Sequence, residues 1–180
     1  LKWPNDVLVD GARKICGILA QLAPASSPFT TAAILGYGVN IGQERAILPT
    51  AQATSLAAEG DQRAGEDPTG VAHELLGQIL AGLDQRISSL VRHGDAISAG
   101  LLAEAEAALP LIGTRIALAS PTDASGTPAL EGLALGLAPT GALLLRTDDG
   151  HSLRIDAGDV LTTGIPLTPV HDTKEKRANN

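Results

Sequence analysis

Five consecutive residues, Lys2-Trp3-Pro4-Asn5-Asp6, set a cation, an indole, an amide and a carboxylate directly before the apolar run Val7-Leu8-Val9. A plain strand start needs no such density of polar groups. Lys14 follows across the turn dipeptide Asp10-Gly11, and Gly17-Ile18-Leu19 comes three residues later. Further on, Gly36-Tyr37-Gly38-Val39-Asn40 places two glycines and an amide near the end of another apolar stretch. An ammonium stabilises developing negative charge, an amide donates and accepts at once, and glycine lets backbone approach a ligand closely. Taken singly these residues have plainer readings: Lys14 as a solvated hairpin lysine, Gly17 as a bulge, Asn40 as a cap or turn residue, and Trp3 as core.

The remaining candidates carry no chemistry. His73, His93, His151 and His171 stand far apart, without the spacing that zinc requires. Cys16, between Ile15 and Gly17, reads as a packed small thiol. Asp148-Asp149-Gly150 lacks the further oxygen ligands of a calcium loop and reads as a hairpin turn. Gly36-Tyr37-Gly38 lacks the third glycine of a dinucleotide fingerprint and opens no helix. No metal site is expected.

The first forty residues read as antiparallel strands: Val7–Val9, a hairpin at Asp10-Gly11, Ile15–Leu22, a loop over Pro24-Ala25-Ser26-Ser27-Pro28, then Thr30–Ile41. The pattern dissolves from Gln43 to Asp67, with a short helix expected after Ala53-Thr54-Ser55. Asp67-Pro68 starts a helix, since Asp accepts from first-turn amides and Pro suits the first helical position. Val71, Leu75, Ile79, Leu83, Ile87 and Leu90 give it an apolar face that ends near His93-Gly94. A second helix is expected from about Asp95 to Leu109, stopped by Pro110. Beyond Pro110 the period becomes two. Strands are expected over Thr114–Ala119, Ala129–Leu135, Ala142–Thr147 and Ser152–Ile155, parted by turns at Asp123-Ala124-Ser125-Gly126, Pro139-Thr140-Gly141 and Asp148-Asp149-Gly150. That spacing suits a small barrel.

The 180 residues carry a formal charge of −7, with 44% hydrophobic and 18% charged residues. This is a globular composition, and the acidic balance argues against a large footprint on nucleic acid. A single cysteine forbids an internal disulfide and fits a reducing cytoplasm. No apolar run is long enough for a membrane span, so no membrane partner is expected. The chain has no methionine, so Leu1 reads as a processing product or the edge of a fragment. Trp3, Phe29 and Tyr37 are its only aromatic residues, all within the first forty positions.

The motifs KWPND at 2–6, K-x-x-G-I-L at 14–19 and G-x-G-x-N at 36–40 resemble those of the biotin protein ligases. Gly141-Ala142-Leu143-Leu144-Leu145 and Gly158-Asp159-Val160 resemble that family's SH3-like C-terminal domain. The resemblance runs to about Gly164. It implies an α+β fold, the second part of a class II synthetase-like mixed sheet with helices, followed by a small SH3-like β-barrel. With the boundary that the change of period sets at Pro110, the expected divisions are a catalytic-domain portion at 1–110 and the barrel at 111–167, and the mixed-charge composition from Thr168 predicts a disordered tail at 168–180.

The implied activity joins biotin to ATP as biotinyl-5′-AMP and passes the biotinyl group to a lysine of a biotin carboxyl carrier protein in the cytoplasm. The implied ligands are ATP, Mg2+ and the substrate biotin. The resemblance makes Lys14 the catalytic ammonium and places Lys14, Gly17, Asn5, Asp6 and Trp3 against biotin or the adenylate. It places Asn40 and Gly38 against adenine. Asn5 and Asp6 could orient Lys14, the phosphates or magnesium, and Trp3 could cover the ligand or join the core.

The sequence also departs from the family's pattern. Gln21 stands where many members have Glu, and Thr162-Thr163 where some have Arg. Neither a helix-turn-helix nor the family's Arg- and Gly-rich biotin and phosphate loop is present, so the chain is expected to be inactive by itself. A non-catalytic binding fragment and a lipoate-type acyl ligase are the rival readings.

Overall fold

The computed structural model describes residues 1–24, 31–119 and 128–165. The loop expected beyond Pro24, the turn at 123–126 and the tail at 168–180 lie outside the described residues.

Three strands form the first sheet, in the order β1 (Asp6–Val9), β2 (Arg13–Pro24), β3 (Thr31–Val39), with both pairings antiparallel. Asp10 (φ 50°) and Gly11 (φ 67°) both take the left-handed conformation, which suits the tight connection between β1 and β2. The β1–β2 register slips between Val7 and Leu8, so that Val7 faces Cys16 and Leu8 faces Lys14. That bulge turns Lys14 onto the face of the sheet that also carries Asp6 and Gly17.

Among the described residues, two 3-10 turns, Arg45–Ile47 and Ala57–Glu59, interrupt the segment after β3, and a short helix α1 (Gln62–Glu66) follows. The long helix α2 (Pro68–His93) begins and ends where the sequence predicts: Asp67 Oδ1 accepts from the Gly70 amide at 2.9 Å, Pro68 opens the first turn, and Gly94 closes the last. Val71, Leu75, Ile79 and Leu83 are half-buried, while Ile87 and Leu90 are exposed. The second helix is shorter than expected. Gly100 adopts φ 75°, so the chain from Asp95 turns on itself and only α3 (Leu101–Ala107) is helical. Asp95 spends its carboxylate on the amides of Ile97 and Ser98 within that turn.

The second sheet has five antiparallel strands in the order β7-β6-β5-β4-β8: β4 (Arg115–Ala119), β5 (Pro128–Leu137), β6 (Leu143–Arg146), β7 (Ser152–Ile155) and β8 (Asp159–Ile165). Four follow the expected pattern. The fifth, β8, is an addition: it returns past the meander to pair with β4. Among the described residues every strand pairing is antiparallel, and the one parallel contact near the first sheet is an isolated bridge between Lys14 and Ala53.

The core belongs to the five-stranded sheet. Leu111, Ile116, Leu118, Leu143, Leu145 and Val160 pack together with Trp3 from the start of the chain. Glu106 of α3 accepts from the Leu137 amide at 2.7 Å, which docks that helix on β5. No described helix is long and apolar enough to cross a membrane.

Candidate functional site

KWPND divides between two tasks. Lys2 and Trp3 face the five-stranded sheet: Lys2 Nζ donates to Asp159 at 2.8 Å, and Trp3, 4% exposed, donates from its indole nitrogen to the Gly141 carbonyl at 3.1 Å. Of the two roles open to Trp3, cover or core, the structure puts it in the core. A ring with so little free surface has no face to offer a ligand. The Trp3–Pro4 peptide is cis.

Asn5 and Asp6 face the other way. Asn5 donates to the Ile18 carbonyl at 2.9 Å and accepts the Ile18 amide on its own carbonyl at 2.8 Å, which staples the chain ahead of β1 to β2. Asp6 lies beside Lys14, with Oδ1 2.6 Å from the ammonium. That oxygen is buried and lacks an aligned hydrogen bond, so the contact is an ion pair. The Lys14 side chain remains 48% exposed, leaving its ammonium able to meet a second anion.

Gly17 is small for a local reason. A Cβ there would stand 3.3 Å from Lys14 Nζ and 3.8 Å from Asp6 Oδ1. Gly38 pairs directly with Gly17 across the ladder, and Gly36 pairs with Leu19 on the same face. Lys14 and Asp6 therefore border a strip of sheet whose surface at three positions is bare backbone. They also line a cavity of about 520 Å³ together with Lys2, Gln52, Leu111 and Leu161. Asp6 is the only carboxylate among its described lining residues.

Asn40 ends β3. Its amide nitrogen donates to the Thr54 carbonyl at 2.9 Å and its backbone to Ile15 at 2.9 Å, which leaves the side-chain oxygen as an acceptor. Thr54 is also bonded to Lys14: the Lys14 amide donates to Gln52 at 2.6 Å and the Thr54 amide to the Lys14 carbonyl at 2.8 Å. The segment from Gln52 to Thr54 is thus a strap lying parallel to the start of β2. Thr54 and Ser55 are fully buried, and Ser55 Oγ accepts from the Ala58 amide at 3.0 Å.

Glu59, at the end of that turn, accepts from Arg13 Nε at 2.9 Å and Arg13 Nη2 at 2.7 Å, and from the Thr54 hydroxyl. Arg45 stands 3.4 Å away. The Arg13 fork first, and the Thr54 hydroxyl second, hold the Glu59 carboxyl down at about 2. Burial pushes the Cys16 thiol up, with Asp6 adding to it, in keeping with an inert packed thiol. The strap and Glu59 escape a reading of motifs because they hold other residues instead of facing outward. The one signal available was a polar pair, Thr54-Ser55, in an Ala-rich stretch. No group of three His, Cys, Asp or Glu able to hold a metal ion occurs among the described residues.

Comparison with known proteins agrees with this architecture. The family model "Biotin protein ligase C terminal domain" matches residues 122–161. Two curated relatives are the bifunctional ligase/repressor BirA of Bacillus subtilis, 33% identical over 83% of this chain and 42% of its own length, and a biotin–[acetyl-CoA-carboxylase] ligase of Mycobacterium tuberculosis, 32% identical over 89% of this chain and 52% of its own. The chain therefore spans about half the length of the curated relatives it matches.

Solved structures of biotin protein ligase from Aquifex aeolicus share the fold. The apo form has a TM-score of 0.58 at 24% identity, and the complex with biotin and ATP 0.53 at 22%; each match covers 89% of this chain and 63% or 60% of the other. Motifs, domain match and fold point the same way: this chain is similar to the biotin protein ligases over most of its length.

Proposed function

We propose that the chain supplies the Lys14 side of a site that adenylates biotin and then biotinylates a lysine of a carboxyl carrier protein, with 1–110 as catalytic portion and 111–167 as the SH3-like domain. The observation that carries the reading is the Lys14 ammonium, fixed by Asp6, half exposed, close to Gly17, and lining with Asp6 a cavity of small-molecule size. In the first step a biotin carboxylate oxygen bonds to the α-phosphorus of ATP, and the bond to pyrophosphate breaks. Two anions must meet, and Lys14 offsets the negative charge that builds between them. In the second step the neutral amine of the carrier lysine attacks the acyl carbon, AMP leaves with the C–O bonding pair, and the amine's proton passes to solvent. Asn40, with its nitrogen committed to Thr54, presents its oxygen to the amino group of adenine, and Gly38 lets the ring lie close to β3.

Magnesium fits here chiefly through the nucleotide. Among the described lining residues Asp6 is the only carboxylate, and it is already paired, so a divalent ion would be held mainly by phosphate oxygens, as is usual for magnesium with ATP. We place the reaction in the cytoplasm, consistent with the single free thiol. The acidic charge of −7 supports a protein acceptor over nucleic acid.

The test uses the full-length protein that carries these residues. Lys14→Ala should slow biotin-dependent pyrophosphate release by about 10²–10³ while the unfolding midpoint stays near that of the parent. Release at the parental rate would remove Lys14 from the site. Replacing biotin by lipoate in the same assay distinguishes the two kinds of ligase.

A further inference from the structure

Lys14 and Asn40 stand at the open end of the first sheet's long hairpin, one at the start of β2 and the other past the end of β3, where the Asn40 amide donates to Ile15. Thr54 adds a second link: its amide donates to the Lys14 carbonyl and its carbonyl accepts from the Asn40 side chain. What holds Thr54 is Glu59. One carboxylate receives the Thr54 hydroxyl and both prongs of the Arg13 guanidinium, and Arg13 is the residue next to Lys14. Two-pronged pairing fixes orientation as well as distance, which a single ammonium contact does not.

We propose that Glu59 is a positioning residue: by clamping Arg13 and Thr54 together, it sets where the Lys14 ammonium and the Asn40 amide stand relative to one another. The proposal rests on the function given above for Lys14 and Asn40. Glu59 itself is not among the described residues that line the cavity beside Lys14. It acts through backbone that both residues share, and displacements of an ångström at such a site are costly to rate.

The experiment compares Glu59→Gln with the parent full-length enzyme. Gln keeps the shape and an acceptor for the Thr54 hydroxyl, but loses the charge that pairs with Arg13. The maximal rate of pyrophosphate release should fall by up to about 100-fold and the KM for ATP should rise, with the KM for biotin unchanged. A change in fold content alone would lower the rate and leave both KM values in place. Glu74→Gln, which breaks the Arg63–Glu74 pair on α1 and α2, should leave all three constants as they were.

Amide hydrogen exchange read by NMR supplies a measure that needs no activity. Exchange at Lys14 and Thr54 should quicken in Glu59→Gln, while amides in the β2–β3 ladder keep their protection. If Glu59→Gln does not fold, Arg13→Lys removes the fork, keeps the charge and should show the same split. Unchanged constants together with unchanged exchange would overturn the proposal. Quickened exchange in an enzyme that never binds ATP would uphold the clamp and sink the function proposed for it.

Discussion

Trp3 and Asp6 stand three residues apart and serve different sheets. The indole is buried with Leu111, Leu143 and Leu145, whereas the carboxylate holds Lys14. Trp3→Ala should therefore destabilise the protein by about 3–5 kcal/mol, the usual cost of emptying so large a buried volume. Trp3→Phe should cost less, since most of the packing survives and roughly 1 kcal/mol goes with the bond to Gly141. Denaturant unfolding of both variants checks the ranking, and an unperturbed Trp3→Ala would contradict the core assignment. The polar cluster itself was legible in the sequence because five unlike side chains in a row have no plain structural use. Its division into two halves was not, because the partners that divide it, Gly141 and Asp159, lie far along the chain. Lys14, Asp6 and Gly17 were legible as separate residues, and only the bulge between Val7 and Leu8 puts them on one face.

At the scale of elements, those with local punctuation were readable and those without were not. Asp67-Pro68 and Gly94 delimit α2, and Ser152–Ile155 is a strand at the expected bounds. Strand β8 was missed because its sequence, with Thr162, Thr163 and Gly164, lacks apolar alternation. It exists through its non-consecutive pairing with β4. The expected helix from Asp95 failed at Gly100, where a left-handed turn defeats the helical composition around it.

Close strand packing in the barrel also rests on a residue that no pattern singles out. A Cβ on Gly132 would stand 2.4 Å from the backbone oxygen of Arg146 on β6. Backbone cannot give way as a side-chain end can, so Gly132→Ala must push β5 from β6. The expected loss is about 1–3 kcal/mol, with faster exchange of the β5–β6 amides. An alanine accommodated with no loss would mean the two strands are less closely tied than the structure has them.

Taken whole, the molecule is unevenly covered. The five-stranded sheet owns the buried core, while the first sheet leaves Leu19 68% exposed on one face and Leu22 74% exposed on the other, with Ile34 at 56%. Helix α2 has no fully buried residue, although Leu75, Ile79 and Leu83 close a groove with Tyr37. Apolar side chains bare on both faces of a sheet mark surfaces that associate, and the outer edges of β1 and β3 add unpaired backbone.

Chemistry at the site points the same way. Adenylation needs donors for a carboxylate and for several phosphate oxygens, and the described cavity offers the cations Lys2 and Lys14, which are paired with Asp159 and Asp6. The 180 residues made by themselves should therefore self-associate and transfer no biotin, while the five-stranded sheet keeps its slow-exchanging amides. The purified chain would be sized by light scattering, then mixed with ATP, biotin and a carrier domain whose mass is followed. A monomer that adds one biotin to the carrier at the rate of a full-length ligase would show that these residues hold a complete site, and that the bare faces of the first sheet need no cover.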